Sequence, residues 1–271
     1  MSRIIDFDEE RLSKSLGRRA AKVRHCLAEH PLLSIDAIAE LADVLPPASV
    51  ERHAADQPLV VPGGAPDIAG RPSQTVREIE TNRKWMVLWY LEQIPEYARL
   101  LDECLDGVVP FVPADEGDMR QRESFLFISA PDAVTPVHFD AEHNFLLQIR
   151  GVKEMHVCEF ASRHIEQQEL IRYYNGGHRN LLSMPPESET FVLNPGEGVY
   201  VYPFAPHWVK NGPLSSISLS ITFRTRTSQQ AELVHAFNAR LRRRLRLSPR
   251  PAGASSRADR MKAATERALR R

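Results

Sequence analysis

The spacing of apolar positions changes from helical to alternating near Ser124, and that change divides the chain. Before it, Leu12, Leu16, Ala20, Val23 and Leu27 fall on one stripe, with Arg18, Arg19, Lys22 and Arg24 elsewhere. This predicts a helix from Asp8 to about Glu29, stopped by Pro31. Ser34 is placed to cap a second helix with the stripe Ile35, Ile38, Leu41 and Leu45, ended by Pro46-Pro47. Leu59-Val60-Val61 before Pro62-Gly63-Gly64 reads as a short strand and turn, with a loop on to Pro72. A long amphipathic helix is expected over roughly Trp85 to Leu105, kinked or broken at Pro95, with Trp85, Leu88, Trp89 and Leu91 as its apolar cluster.

From Ser124 the period is two. Phe125-Leu126-Phe127-Ile128 reads as a strand and several more follow, with turns at Arg150-Gly151 and Asn194-Pro195-Gly196. Strands in quick succession point to an antiparallel barrel or sandwich. In Ser216 to Phe223, Ile217, Leu219, Ile221 and Phe223 alternate with Ser216, Ser218, Ser220 and Thr222. One face of that strand suits a core, and the other suits a small polar cavity. Residues 161–189 read as an irregular insert of the kind that forms lids and binding loops. Helix returns from Gln229 to about Leu247, followed by a basic tail expected to be solvated and partly disordered.

Charge narrows the classes. Acidic and basic residues balance at 35 each, so the whole chain is not a polycation, although its last thirty or so residues are basic. The first two helices resemble a DNA-reading pair only superficially, because the second is acidic and offers phosphates no basic face. Cys26, Cys104 and Cys158 are scattered and odd in number, which suits a reducing compartment. With no signal-peptide core and no membrane-length apolar run, a cytoplasmic location is expected.

The candidate chemistry lies in Thr135-Pro136-Val137-His138-Phe139-Asp140. Residues two apart on a strand share a face, so His138 and Asp140 can offer an imidazole and a carboxylate to one metal. Two histidines and one carboxylate leave the opposite side of a redox-active iron open to reactants. His207, after the Pro-rich bend Pro203 to Pro206, is the candidate third ligand. If Arg150-Gly151 is a two-residue hairpin turn, Gln148 pairs with Lys153, and on an unbroken strand Lys153 faces the side of His138, Asp140 and Asn144. An ammonium beside a metal calls for an anion between them. A dicarboxylate that chelates the metal at one end and meets Lys153 at the other fills that role, with Thr135 and Asn144 as further donors.

His138, Asp140, Asn144 and Gly151 follow the first cupin motif, with Asn where many cupins have Glu, and Gly198, Pro203, His207 and Asn211 follow the second, with a one-residue difference in spacing after the Gly. The longer run from Thr135 through Asn144-Phe145 to Gln148-Ile149-Arg150-Gly151-Val152-Lys153 resembles the JmjC-type Fe(II)/2-oxoglutarate dioxygenases. It is most similar to their asparaginyl-hydroxylase branch, which includes factor inhibiting hypoxia-inducible factor. The resemblance implies a double-stranded β-helix core with helices on both sides. It divides the chain into an N-terminal helical region (1–55), a JmjC/cupin-like catalytic domain (56–228) and a C-terminal helix with basic tail (229–271). His138, Asp140 and His207 would bind Fe(II), and Thr135, Asn144, Lys153 and Thr222 would bind 2-oxoglutarate. Dioxygen and an unidentified peptide or small-molecule substrate would complete the reaction. The resemblance also implies a homodimer through the C-terminal helix. The competing expectation is a non-catalytic, ligand-sensing cupin whose Arg240, Arg242, Arg243, Arg244 and Arg246 touch nucleic acid or an acidic partner.

Overall fold

The computed structural model describes residues 3–54, 70–81, 84–253 and 255–270. In chain order the elements are β1 (Ile5–Asp6), α1 (Glu9–Ser15), β2 (Ala21–His25), α2 (Ile35–Val44), β3 (Val50–Ala54), α3 (Pro72–Arg77), β4 (Lys84–Trp89) and α4 (Pro95–Asp106). There follow β5 (Met119–Ser129), β6 (Val134–His138), β7 (His143–Arg150), β8 (Lys153–Cys158) and α5 (Arg163–Tyr174). The chain continues through β9 (Ser188–Leu193), β10 (Glu197–Val201), β11 (His207–Asn211), β12 (Ser216–Thr225), α6 (Arg226–Leu245) and α7 (Ser256–Leu269).

Among the described residues the strands form two antiparallel sheets. The large one runs β1-β2-β10-β7-β12-β5-β4-β3, and the small one runs β6-β11-β8-β9. Together they make the expected jelly-roll. The alternation in β12 is realised as read: Ile217, Leu219, Ile221 and Phe223 join Phe145, Leu147, Leu126 and Ile128 in a core beneath the N-terminal helices. The inner faces meet in a second core, where Leu146 of the large sheet packs with Met155, Val157, Phe191 and Val209 of the small one.

Three predicted elements differ. The helix expected through Glu29 ends at Ser15, and Ala21–His25 is a strand paired with β10. Its burial alternates strictly, because Val23 on one face was equally compatible with a period of two. The long helix over Trp85 to Leu105 is instead strand Lys84–Trp89, a turn of 3-10 helix and helix Pro95–Asp106. Sheet pairing on both sides of β4 overrides the local helical pattern. The basic tail also folds: α7 packs on α6, and Arg240 meets Glu266 in a bidentate pair at 2.9 Å for each bond. The expected helix Ile35–Val44 is present, with the Ser34 hydroxyl accepting from Ala37 N–H at 3.2 Å. The strand expected at 59–61 lies outside the described residues. Among the described residues no helix is long and apolar enough to cross a membrane.

The Arg150-Gly151 turn is present, but it does not close a hairpin. β7 pairs with β10 and β12 in the large sheet, whereas β8 pairs with β11 and β9 in the small one. The turn is a crossover between layers. Gly151 sits there at φ +73°, and a Cβ on it would lie 2.3 Å from the Ser215 carbonyl oxygen. Gly151→Ala is therefore expected to destabilise the fold by about 2–4 kcal/mol, combining left-handed strain with overpacking, as read from urea unfolding.

Candidate active site

His138 ends β6 and His207 begins β11, and the two residues are directly opposed in the antiparallel ladder. Opposed residues share a face, which brings their ring centroids to 4.2 Å. His207 is thus a neighbour within one sheet. Asp140 lies just beyond β6, in the connection that carries the chain into the other sheet, and its carbonyl accepts from Phe204 N–H at 2.6 Å. The strand expected to run unbroken from His138 to Gln148 is interrupted here.

The hydrogen-bond pattern orients both rings. His138 Nδ1 lies 2.8 Å from the Pro136 carbonyl and His207 Nδ1 lies 2.9 Å from the Ala205 carbonyl. A carbonyl only accepts, so each Nδ1 carries the proton and each Nε2 keeps its lone pair. Asp140 Oδ2 is 3.7 Å from His138 Nε2 and 3.5 Å from His207 Nε2. The three donor atoms lie within 4.8 Å of one another, which makes this a cluster with the composition of a divalent-metal site. Burial, with the neighbouring His207, lowers the His138 pKa to about 3 against the opposing pull of Asp140, so the ring is neutral and available as a ligand. Burial pushes the Asp140 carboxyl up, but Arg179, His207 and His138 together outweigh it and hold the group ionised.

A cavity of about 200 Å³ opens from this trio between the sheets, and Thr135, Asn144, Lys153 and Thr222 all line it. The small sheet contributes Thr135, Lys153 and Asn211. The large sheet contributes Asn144 and Thr222, which are paired across β7 and β12, and Ser220, whose hydroxyl donates to Asn144 Oδ1 at 2.8 Å. Lys153 reaches the cavity from β8, opposite Asn211, rather than across a hairpin from Gln148. Only 4% exposed, Lys153 has no ion-pair or hydrogen-bond partner among the described residues, and burial lowers its pKa to about 7. Thr222 Oγ1 and Asn211 Oδ1 are likewise buried without partners. A cation, a hydroxyl and an amide left unsatisfied around one cavity fit a polar anionic molecule.

Several lining groups were not legible as site residues. Arg179, from the segment expected to be an irregular insert, forms an ion pair with Asp140 Oδ1. That insert is in part the helix α5, capped by the Ser162 hydroxyl. Trp89 and Tyr90 join Phe125 and Glu123 around the cavity, with Phe125 edge-on to Trp89 at 5.2 Å and to Tyr90 at 5.5 Å. The expectation of a helix through Trp85 to Leu105 hid this wall.

Residues 118–232 match the JmjC domain family. The match contains all seven residues singled out from the sequence, and the fold is the JmjC jelly-roll. Among solved structures, Escherichia coli ycfD is 18% identical with a TM-score of 0.54, over 99% of this chain and 69% of that one. A second structure, described as YcfD, a ribosomal oxygenase from Escherichia coli in complex with cobalt and 2-oxoglutarate, is 14% identical with a TM-score of 0.54, over 99% of this chain and 68% of that one. No curated protein matches the chain by sequence.

Proposed function

We propose that this chain is an Fe(II)- and 2-oxoglutarate-dependent oxygenase that hydroxylates a side chain of a peptide or protein. One observation carries the reading: a His-Asp-His trio with its donor atoms converged opens onto a cavity that holds a buried, partnerless lysine. His138, Asp140 and His207 would hold the metal. Lys153 would take the far carboxylate of 2-oxoglutarate, with Thr135, Asn144 and Thr222 as polar neighbours. The match to the JmjC domain supports this, as does the fold of an oxygenase solved with cobalt and 2-oxoglutarate. The finer placement in the asparaginyl-hydroxylase branch rests on the run from Thr135 to Lys153 alone.

Iron and 2-oxoglutarate, when bound, would supply, with dioxygen as the oxidant, a decarboxylation to succinate and carbon dioxide that takes up one oxygen atom, coupled to insertion of the other into a substrate C–H bond. The protein's own residues bind, orient and exclude water. The two backbone carbonyls fix the imidazole tautomers, and Arg179 meets the Asp140 oxygen directed away from the histidines. The walls Phe125, Phe127, Leu146 and Met155 keep the cavity's flanks dry. Glu123 lines the cavity with Trp89, Tyr90 and Phe125, and feels the charge of Arg224 without forming a close ion pair with it. Aromatic faces beside a carboxylate suit the basic side chain of a peptide.

Of the five arginines on which the sensing alternative rests, Arg240 is engaged by Glu266 and Arg243 donates to the Tyr174 carbonyl at 3.3 Å. The deciding assay supplies purified protein with Fe(II), ascorbate and 2-oxoglutarate and measures succinate by mass spectrometry. Slow substrate-independent turnover is expected, rising with a basic peptide library. Absence of both 2-oxoglutarate binding and succinate would overturn the reading.

A further inference from the structure

Asp140 carries two oxygens with different partners. Oδ2 faces both histidine Nε2 atoms, while Oδ1 is held by the Arg179 guanidinium. Arg179 comes from the segment between α5 and β9, and that segment is fastened beside His138. Leu181 N–H donates to the Val137 carbonyl at 3.0 Å, and Asn180 bridges to His138 in antiparallel fashion. A clamp fixes the segment from beneath. Arg172 donates two bonds to Glu169 at 2.8 and 2.6 Å, one to the His178 carbonyl at 2.7 Å and one to the Asn180 carbonyl. These two carbonyls flank Arg179. The other Glu169 oxygen accepts from Leu182 N–H at 3.3 Å. Glycine is needed at 177 because a Cβ there would lie 2.9 Å from the Arg172 carbonyl oxygen.

We propose that Arg179 is a positioning residue that makes Asp140 present a single oxygen to the metal, and that the Glu169–Arg172 clamp delivers Arg179 to that place. This rests on the reading of His138, Asp140 and His207 as a metal centre. A carboxylate that offered both oxygens would occupy a coordination position which the two-histidine, one-carboxylate arrangement leaves open for reactants. With Oδ1 committed to a guanidinium held on a fastened backbone, only Oδ2 is offered. Outer partners of this kind orient the ligands they touch.

The opposing effect is Coulombic. A guanidinium beside a divalent cation repels it, so on charge alone removing Arg179 would tighten metal binding. Positioning predicts the opposite sign, which makes the experiment decisive. Co2+ is titrated calorimetrically into wild type, Arg179→Ala, Arg179→Gln and Arg172→Ala, and the visible spectrum of bound Co2+ is recorded. Arg179→Ala is expected to weaken Co2+ binding by about 10–100-fold and to change the spectrum. Arg179→Gln, whose amide can still donate to Oδ1, is expected to recover part of the loss. Arg172→Ala should shift affinity in the same direction as Arg179→Ala. Should Arg179→Ala fail to fold, Arg179→Met, which keeps the aliphatic stem and loses the donors, is expected to show the same weakening. Co2+ binding to Arg179→Ala or Arg179→Met that equals or exceeds wild type would overturn the proposal while leaving the metal centre intact. Wild type that binds no Co2+ would instead remove the metal reading, and this inference with it.

Discussion

His138→Ala and Asp140→Ala are each expected to abolish succinate formation and to weaken Co2+ or Fe(II) binding by more than the roughly 100-fold that losing an outer partner costs. The reason is geometric. Both Nδ1 atoms are tied to carbonyls, so each ring has one lone pair, and it points at the same Asp140 oxygen. The trio contains no spare donor. The two substitutions should differ in stability. His138 is neutral, and its removal leaves a small cavity beside His207. Asp140→Ala leaves the half-buried Arg179 guanidinium without its carboxylate, a loss expected to cost about 1–3 kcal/mol. Asp140→Asn retains an oxygen for Arg179 and is expected to fold better than Asp140→Ala while remaining inactive. Calorimetry, succinate detection and urea unfolding read these three quantities separately. Succinate production by a folded His138→Ala protein at the wild-type rate would refute the site.

The second large effect belongs to Lys153, where stability and function are expected to move in opposite directions. A buried ammonium without an anion is costly, and its pKa is lowered to about 7 by burial. In the unfolded chain the same lysine titrates near 10.4. Between those values the unfolded state holds the proton more often than the folded state, so the ligand-free protein gains stability as pH rises from about 7 toward 10. Below about pH 7 the full penalty is present. Lys153→Met should remove both the penalty and this part of the pH dependence, giving a variant more stable than wild type at pH 7. It should also weaken 2-oxoglutarate binding by about 100-fold or more, since the partner of a desolvated carboxylate is lost. Thermal melts across pH 6–9 with and without 2-oxoglutarate measure both effects. A Lys153→Met protein that keeps wild-type 2-oxoglutarate affinity would remove the lysine from the site.

How these residues meet was only partly legible. His138, Asp140 and Lys153 were marked by chemistry within sixteen residues of chain, and all three line one cavity. The route was different: Lys153 was placed by a hairpin that does not form. β7 and β8 lie in opposite sheets, and the residues coincide because the inner faces of both sheets border one cavity. Period-two alternation identifies an inward face but not the sheet to which a strand belongs. Arg179 and the Trp89-Tyr90 wall were hidden for related reasons. Arg179 reaches Asp140 from thirty-nine residues away through a loop fastened by Arg172, and no local pattern encodes that meeting. Trp89 lies in an apolar run whose spacing also suits a helix, and only pairing with β3 and β5 makes it a strand.

The sequence by itself determined the donor types, the alternating strands that carry them and the hydroxylated face of β12, because those depend on side-chain chemistry and a two-residue period. The tertiary structure decided which strands pair, that His138 and His207 are opposed within one ladder, and that Arg179 takes the second oxygen of Asp140. Strand pairing joins residues distant in the chain through backbone hydrogen bonds common to every amino acid, so the choice of partner is made by the packing of whole sheets.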